Sequence, residues 1–528
     1  MAAGPSGPVI RGHPRTDSCR LDPIPAPSAH PSMATCSAHD SHPCETSPSA
    51  VSTPAPTPRL IHRGLDSPIR EKSTMTYSVI DEAPYGKFHR KLVLLSSGGP
   101  FLDGYILGNI GVVIVGIQTQ LGLTSTELGL VGAAALVGLF LGGLGFGRLT
   151  DVIGRKLMYT IDLGAMLVGS LLCLFVQEGW QLIVLRLFLG IAIGADYPIA
   201  TAMLSEWLPR KERGRCMGML MAWWFIGASA AYIVGFGLIQ LLGDDAWRWV
   251  LASAAVPALA IMVARHGTPE SPRWLISNGH REQAQENIAS ALGRPVTEQE
   301  LDVLAAQEAS TGMGFGHAFK KPYGKRTLFV SLFWTCQIIP LFALYTFGPT
   351  ILAAFNMSDD SILGSLLISL VFLIGLIPAI KLIDRIGRRP LIIWSFALMI
   401  IPLTILGLAP GAAIPVVVIC FCLYAFFSGG PSILEWAYPT ELFPTEIRGT
   451  AVGFATSISR IGAAVGTYLL PVGLTHLGLG TTMLLGAGVT LIGLLVCIAW
   501  APETKDRSLQ EAAGIHREQP QSLDLSRH

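Results

Sequence analysis
Gly147-Arg148-Leu149-Thr150-Asp151-Val152-Ile153-Gly154-Arg155-Lys156 sits between two long apolar runs. It packs an acid, three cations and two glycines into a link too short to be a domain. A second copy follows much later as Ile380-Lys381-Leu382-Ile383-Asp384-Arg385-Ile386-Gly387-Arg388-Arg389, again between apolar runs. The physical reading is a tight turn at the aqueous edge of a membrane. Glycine lets two helices approach closely and reverse. The aspartate is expected to accept hydrogen bonds from the first backbone N–H groups of the next helix. The basic residues anchor the turn on the cytoplasmic side.

The repetition extends beyond the turn. Glu206-x6-Arg213-Gly214 recurs as Glu441-x6-Arg448-Gly449, and Pro269-Glu270-Ser271 recurs as Pro502-Glu503-Thr504. All three marks return in the same order at an offset of about 234 residues, so the repeating unit is half the chain. Parallel halves of this kind are a transporter design, with the substrate site at their interface near the bilayer midplane. Composition agrees: of 528 residues, 51% are hydrophobic and 14% charged, against roughly 25% charged in soluble domains. The net charge of +1 gives no basis for a nucleic-acid partner. No C-x-x-C or zinc spacing occurs among the nine cysteines, so they read as small core residues and no metal is expected.

Residues 1–74 hold 13 of the 35 prolines and have no apolar periodicity, so disorder is the expectation, with the stretch before Met75 dispensable. Twelve apolar stretches follow, near 92–117, 127–147, 157–177, 180–207, 214–241, 247–266, 326–355, 361–383, 390–409, 412–438, 449–474 and 479–500. Each approaches the ~20 residues needed to cross a bilayer, and in lipid they must be helices. The expected organisation is a disordered extension (1–84), a six-helix half (85–266), a central loop with short amphipathic helices near 280–292 and 297–309 (267–322), a second half (323–501) and a tail (502–528). Lys and Arg concentrate in the links after even-numbered spans, at Arg155, Lys156, Arg210, Lys211, Arg273, Arg388, Arg389 and Arg448. Both termini and the central loop are therefore expected in the cytoplasm of a cell whose inner or plasma membrane holds the chain.

Charges inside the spans carry the chemistry. Asp103 lies twelve residues past Lys91, and Asp196 twelve before the end of its span, so each is about 18 Å deep. Two carboxylates at matching depth are costly unless protonated, paired or wetted. Either they handle protons, or one pairs with Arg186 and stays ionised. Gln337 falls at the repeat-equivalent place of Asp103, a neutral hydrogen-bonder in place of an acid. Glu435 and Arg460 lie on neighbouring spans. They read as a buried ion pair or, more sharply, as a site where Arg460 receives an anionic substrate.

The two turns, the two E-x6-R-G links, Pro269-Glu270-Ser271-Pro272-Arg273-Trp274-Leu275 and Pro502-Glu503-Thr504-Lys505 resemble the major facilitator superfamily, in its sugar-porter-like and metabolite:proton symporter branches, over about 85–510. The resemblance implies two pseudo-symmetric six-helix halves that rock for alternating access. It implies charge clusters, built from Gly147, Asp151, Gly154, Arg155, Glu206 and Arg213 with Asp384, Gly387, Arg388, Glu441 and Arg448, that latch the outward-open state; the plainer reading is that they only fix topology. Asp103-Gly104-Tyr105 and Gly194-Ala195-Asp196-Tyr197-Pro198 look like the first and fourth spans of proton-coupled symporters, whose matching acids move protons. A second acid common three residues after the first is Ile106 here, which leaves facilitated diffusion open. The resemblance also places Gln337 and Trp436 on sugar contacts, but two other sugar-contacting positions read Met221 and Phe342, against an ordinary hexose site.

The expected function is uptake of a small polar metabolite, such as an organic acid, polyol or sugar-like solute, by proton-coupled symport. The proton gradient would be the energy source, with no cofactor and a monomer in the bilayer. Asp103, Asp196 and Arg186 would handle protons; Gln337, Glu435, Trp436 and Arg460 would meet the substrate. A proton-antiporting efflux pump, a facilitative carrier and a non-transporting nutrient sensor are the alternatives. No Ser/His/Asp set, metal cluster or phosphate loop suggests an enzyme.

Overall fold
A computed structural model of the chain describes residues 79–243, 246–309, 315–355, 361–443 and 445–505. The described fold is all-α. The first six spans are α1 (Lys87–Leu121), α2 (Ser125–Ile153), α3 (Arg155–Leu172), α4 (Gly179–Trp207), α5 (Arg210–Leu242) and a broken span made of α6 (Ala246–Ala252) and α7 (Ala255–Arg265). Three short helices follow, α8 (Pro272–Ser277), α9 (Arg281–Leu292) and α10 (Glu298–Ala309). The last six are α11 (Tyr323–Ala354), α12 (Ser361–Ile386), α13 (Arg388–Leu408), α14 (Ile414–Leu442), α15 (Thr445–His476) and α16 (Leu479–Trp500). Among the described residues, twelve helical stretches are long and apolar enough to cross a membrane. The expected pair of amphipathic segments is present as α9 and α10.

The packing repeats with the sequence. In the first six spans α1 packs on α5, α2 on α4 and α3 on α7; in the last six α11 packs on α15, α12 on α14 and α13 on α16. Between α2 and α4 the approach is so close that side chains would not fit. A Cβ on Gly138 or Gly142 would lie 2.2 or 2.1 Å from the carbonyls of Leu187 or Ile191, and one on Gly190 or Gly194 2.1 or 2.4 Å from those of Ala135 or Leu139. Helices in lipid gain no hydrophobic drive toward one another, so small residues that let backbones touch supply the van der Waals contact instead. The outer faces carry exposed Leu, Ile, Val and Trp, such as Leu141, Leu367, Trp394 and Leu495, as a lipid-facing surface requires.

The two sets of six meet through α1–α11, α2–α15 and α5–α12. Their hydrogen bonds lie at the end away from the repeated turns. Ser125 and Thr475 hydroxyls are 2.7 Å apart, Ser229 and Ser369 3.1 Å, and Tyr232 donates to the Tyr345 carbonyl at 2.9 Å.

The extension was expected to run disordered to residue 84. Its described part departs from that: Val79 and Ile80 are buried in one apolar cluster with Ile288, Val296 and Leu301 of the central segment, and Asp81 pairs with Arg213 at 2.8 Å. Two β-branched side chains and an acid opposite a guanidinium are enough to seat it. Residues 1–78 and 506–528 lie outside the described residues, as do Asp244, Asp245, Asp359 and Asp360.

Candidate functional site
The charged end is built twice, on one plan. Gly154 and Gly387 take φ of +100° and +93°, a region that favours glycine. The chain thereby turns straight into α3 and α13. The orphan N–H groups at those helix starts are met by glutamates from far along the chain. Glu270 accepts from the N–H of Arg155 and Lys156 at 3.1 and 3.0 Å; Glu503 accepts from those of Arg388 and Arg389 at 3.0 and 3.1 Å. A Cβ on Gly154 would sit 2.8 Å from Glu270 Oε2, and one on Gly387 2.7 Å from Glu503 Oε2, so glycine is needed for the acid as well as the turn.

This corrects the expectation that the turn aspartate caps the next helix. The Asp384 side chain is 79% exposed and lies 3.5 Å from the Arg388 guanidinium. The sequence carried the true signal, since Glu270 and Glu503 repeat in register, but a residue more than a hundred positions away is not sought as a cap. Gly147, Asp151 and Arg448 fall outside the residues whose side chains the structure describes.

Each turn is then tied to the end of the next helix. Arg155 reaches Glu206 at 3.2 Å, and Glu206 also accepts from the Ser271 hydroxyl. Arg388 reaches Glu441 at 2.7 Å, and Glu441 accepts from the Thr504 hydroxyl. Both ion pairs close within one set of six helices, α3 to α4 and α13 to α14. Arg213 does not join Glu206; it donates to Asp81 and to the Leu208 carbonyl. Outside the spans, burial alone would raise the Glu503 carboxyl, but the N–H groups of Lys505, Arg388, Arg389 and Thr504 outweigh it and hold the acid below its ordinary value of 4.5.

The centre of the bundle is not duplicated. Asp103 on α1 is fully buried, and neither carboxyl oxygen has a protein hydrogen-bond partner. Its charged neighbours are Asp196, Asp162, Arg460 and Arg265. Asp196 lies against α1, where a Cβ on Gly99 would come 2.0 Å from its Oδ2. Arg265 Nη1 is 3.9 Å from Asp196 Oδ1. The expected pairing of an acid with Arg186 is absent: Arg186 donates to the Ile106 carbonyl at 3.0 Å, and Cys173 is its titratable neighbour. The cation at the acids is Arg265, from the end of α7.

Arg265 is held by a local defect in α1. Pro100 has no N–H, so the Ser96 carbonyl loses its helical donor. Arg265 Nη2 fills that place at 3.2 Å, Nε donates to Leu95 O at 2.8 Å, and the guanidinium lies 3.8 Å over the Tyr159 ring. The sequence reading missed both Asp162 and Arg265. Asp162 is an acid inside the third apolar run and could have been flagged on that ground; Arg265 stands at the end of its span, where nothing in the sequence distinguishes it from a charge that marks a span end.

On the other side of the interface, Gln337 of α11 donates to Ser428 and Ser432 of α14, both at 3.2 Å, leaving its Oε1 without a protein donor. Glu435 is buried beside the Trp334 indole N–H. Glu435 and Arg460 are neighbours but form no ion pair within 4.0 Å. The Arg460 guanidinium instead stands 5.5 Å from the Tyr197 ring and 5.6 Å from that of Phe342. Tyr197 of α4 and Trp436 of α14 face each other nearly parallel, 6° between planes and 6.3 Å between centroids. Trp334 packs edge-on to Trp436 at 6.0 Å. Trp224 packs among Phe225, Phe342 and Tyr345, and Trp223 lies edge-on to Phe101. Arg460, Tyr197, Asp103, Asp196 and Glu435 thus form one electrostatic neighbourhood across the interface.

Residues 91–515 match the sugar (and other) transporter family. The chain is 43% identical over 437 residues to the putative metabolite transport protein YaaU of Escherichia coli (strain K12), covering 82% of this chain and 97% of that one. It is 36% identical over 436 residues to the inner membrane metabolite transport protein YgcS of the same organism, covering 83% and 96%. The partially occluded inward-open conformation of the xylose transporter XylE from E. coli shares the fold, with TM-score 0.71 at 20% identity over 80% of this chain and 100% of that one. A repeated charged turn, twelve spans in two packed sets and relatives matched end to end lead to one assignment: the chain belongs to the sugar (and other) transporter family of the major facilitator superfamily and is a multi-pass secondary transporter of small solutes.

Proposed function
We propose that the protein takes a small polar metabolite into the cell together with protons, an organic acid being the solute its centre suits best. The observation that carries this is the charge balance in the interior of the bundle. Among the described residues, four carboxyls, those of Asp103, Asp162, Asp196 and Glu435, are buried near two guanidiniums, those of Arg265 and Arg460. Burying unpaired ions costs several kcal/mol each, so a set with excess acids is tolerated where acids carry protons and a cation awaits an anion. Asp103 and Asp196 carry the protons. Arg460, with no acid on its guanidinium, receives the carboxylate of the solute. Gln337 offers an acceptor, Glu435 adds an acid near Arg460, and Trp436 gives a flat apolar face. The Tyr197–Trp436 contact bridges the two halves, so it parts when solute enters between them. Arg186 braces α4 on α1 rather than taking part in coupling.

The turns, the central segment and both termini are assigned to the cytoplasmic side from the Lys/Arg bias. On that assignment the hydrogen bonds at the opposite end close the outer entrance, and the two arginine–glutamate clamps make each half a rigid body that latches when the halves rock. The working unit is a monomer. The test is a thermal-shift screen of organic acids, polyols and hexoses on purified protein. Flux of the hit follows in right-side-out vesicles under an imposed proton gradient. Uptake driven by an inward gradient is expected. Export against it would make the protein an antiporter, and indifference to the gradient a facilitative carrier.

A further inference from the structure
Asp162 on α3 is unexplained by the midplane site. It is 2% exposed in the interior of the first half. Its Oδ1 accepts from the N–H of Leu163, while Oδ2 has no protein donor. No cation lies within ion-pair distance of it among the described residues. Its neighbour is another acid: the carboxyls of Asp162 and Asp196 stand within hydrogen-bonding reach of each other. Ionised carboxylates only accept, so two of them face to face in an apolar interior make a bond only when a proton lies between them.

A cavity of about 110 Å³ lies between α1, α3, α4 and α7; neither acid is in its wall, but Leu163, Tyr159 and Arg265, which adjoin the pair, are. It lies inside the first half at the charged end and not at the interface of the halves. Its wall runs from exposed Lys156, Thr160 and His266 inward to buried Ser96 and Tyr159, with Arg265 beside them. Its size admits a few waters. The guanidinium of Arg265 spends two of its three nitrogens on the α1 carbonyls and lays its face on the Tyr159 ring. Only Nη1 is left aimed at Asp196, at a distance a water spans better than a direct bond.

We propose that Asp162 is a third proton-bearing carboxyl and that the Asp162–Asp196 pair, steadied by Arg265, is the inner station of the proton path, releasing its proton into this cavity and so to the cytoplasm by a way separate from the solute. This rests on the proton-coupled reading above. A proton leaving Asp103 is taken up by the Asp196 carboxylate, shared with Asp162, and passed from Asp162 to water in the cavity; each transfer leaves a carboxylate behind, the first protonates a carboxylate ahead, and the last makes a hydronium ion that carries the proton out. The groups that face the pair are Asp103 from α1, Tyr159 from its own helix, Tyr197 from α4 and Arg265 from α7. Lys156 and His266 stand at the mouth.

The test needs no solute. The full chain, reconstituted in liposomes, is titrated while the carboxylic C=O band is followed by infrared difference spectroscopy. Asp162→Asn and Asp196→Asn are each expected to remove the same hydrogen-bonded band, and the double variant to remove no more than either alone. Asp162→Glu should keep the band at a shifted frequency, which also decides the matter should Asp162→Asn fail to fold. A band untouched by Asp162→Asn and unshifted by Asp162→Glu would overturn the proposal; loss on Asp103→Asn or Asp196→Asn in the same series would leave proton coupling standing, and no response from any variant would sink both. For access, Thr160→Cys and Ser96→Cys are treated with a membrane-impermeant thiol reagent. Labelling of both in inside-out vesicles and of neither in right-side-out vesicles is expected. A Ser96→Cys protein protected on both sides, beside a labelled Thr160→Cys, would mean the cavity does not reach the acids and would end the proposal.

Discussion
The two halves are alike where they touch water and unlike where they meet. At the charged end the described turn parts come in pairs: Gly154 and Gly387, Glu270 and Glu503, Arg155–Glu206 and Arg388–Glu441, Ser271 and Thr504. In the interior the first half holds Asp103, Asp162, Asp196 and Arg265, while the second holds Gln337, Ser428, Ser432, Glu435 and Arg460. Duplication kept the frame, whose hydrogen-bond geometry tolerates few substitutes, and released the interior. On the function proposed above, one half is equipped for protons and the other for the solute.

That division can be broken by experiment. The largest effect is expected from Asp103→Asn, which removes a carboxyl proposed to carry protons. Gradient-driven accumulation of the screened solute should be abolished in vesicles while counterflow exchange partly persists; unchanged accumulation would take Asp103 out of the mechanism. Next comes Arg460→Gln. A charge-assisted hydrogen bond is worth about 1.5–3 kcal/mol, so an anionic solute should bind roughly ten- to a hundredfold more weakly, with a neutral analogue little affected. Equal losses for both would assign Arg460 to packing.

The duplicated frame makes a matched pair of predictions. Glu206→Gln and Glu441→Gln should each lower stability by about 1–3 kcal/mol, since each leaves a half-buried guanidinium short of its acid. Similar shifts in thermal unfolding are expected, because the two clamps are built alike, and a tenfold disparity would contradict the symmetry. The smallest effect is a pH dependence at Glu503. Its folded-state acidity is enhanced, so its contribution is present above about 4.5 and is lost as pH falls through the lower folded value. Glu503→Gln should flatten that acid limb of the stability profile and leave neutral pH little changed.

Twelve spans, their pairing into halves and the turns at Gly154 and Gly387 were legible because lipid forces long apolar runs and punctuates them with charge. Asp103, Asp196 and Arg460 were legible as charges deep within their spans, and all three are buried. What the sequence concealed depended on which helix packs on which. Arg186 and Arg265 are both single arginines near span ends, and only the packing of α7 on α1 and α3 chooses Arg265 for the acids. The capping role of Glu270 was hidden for the same reason, as its helix start lies more than a hundred residues upstream. Asp162 was readable as an acid inside an apolar run and was missed.

Glu270 and Ser271 lie beyond the last helix of the first six, yet they hold the start of α3 and the end of α4; Glu503 and Thr504 do the same for α13 and α14. The covalent boundary of each half is therefore later than its final membrane crossing. A chain divided at residue 266 would strip one half of its own stopper, whereas division after Ser277 would leave it whole. Separately expressed halves should be cut with that in mind, and their ability to reassemble should depend on which side of these short acidic staples the cut falls.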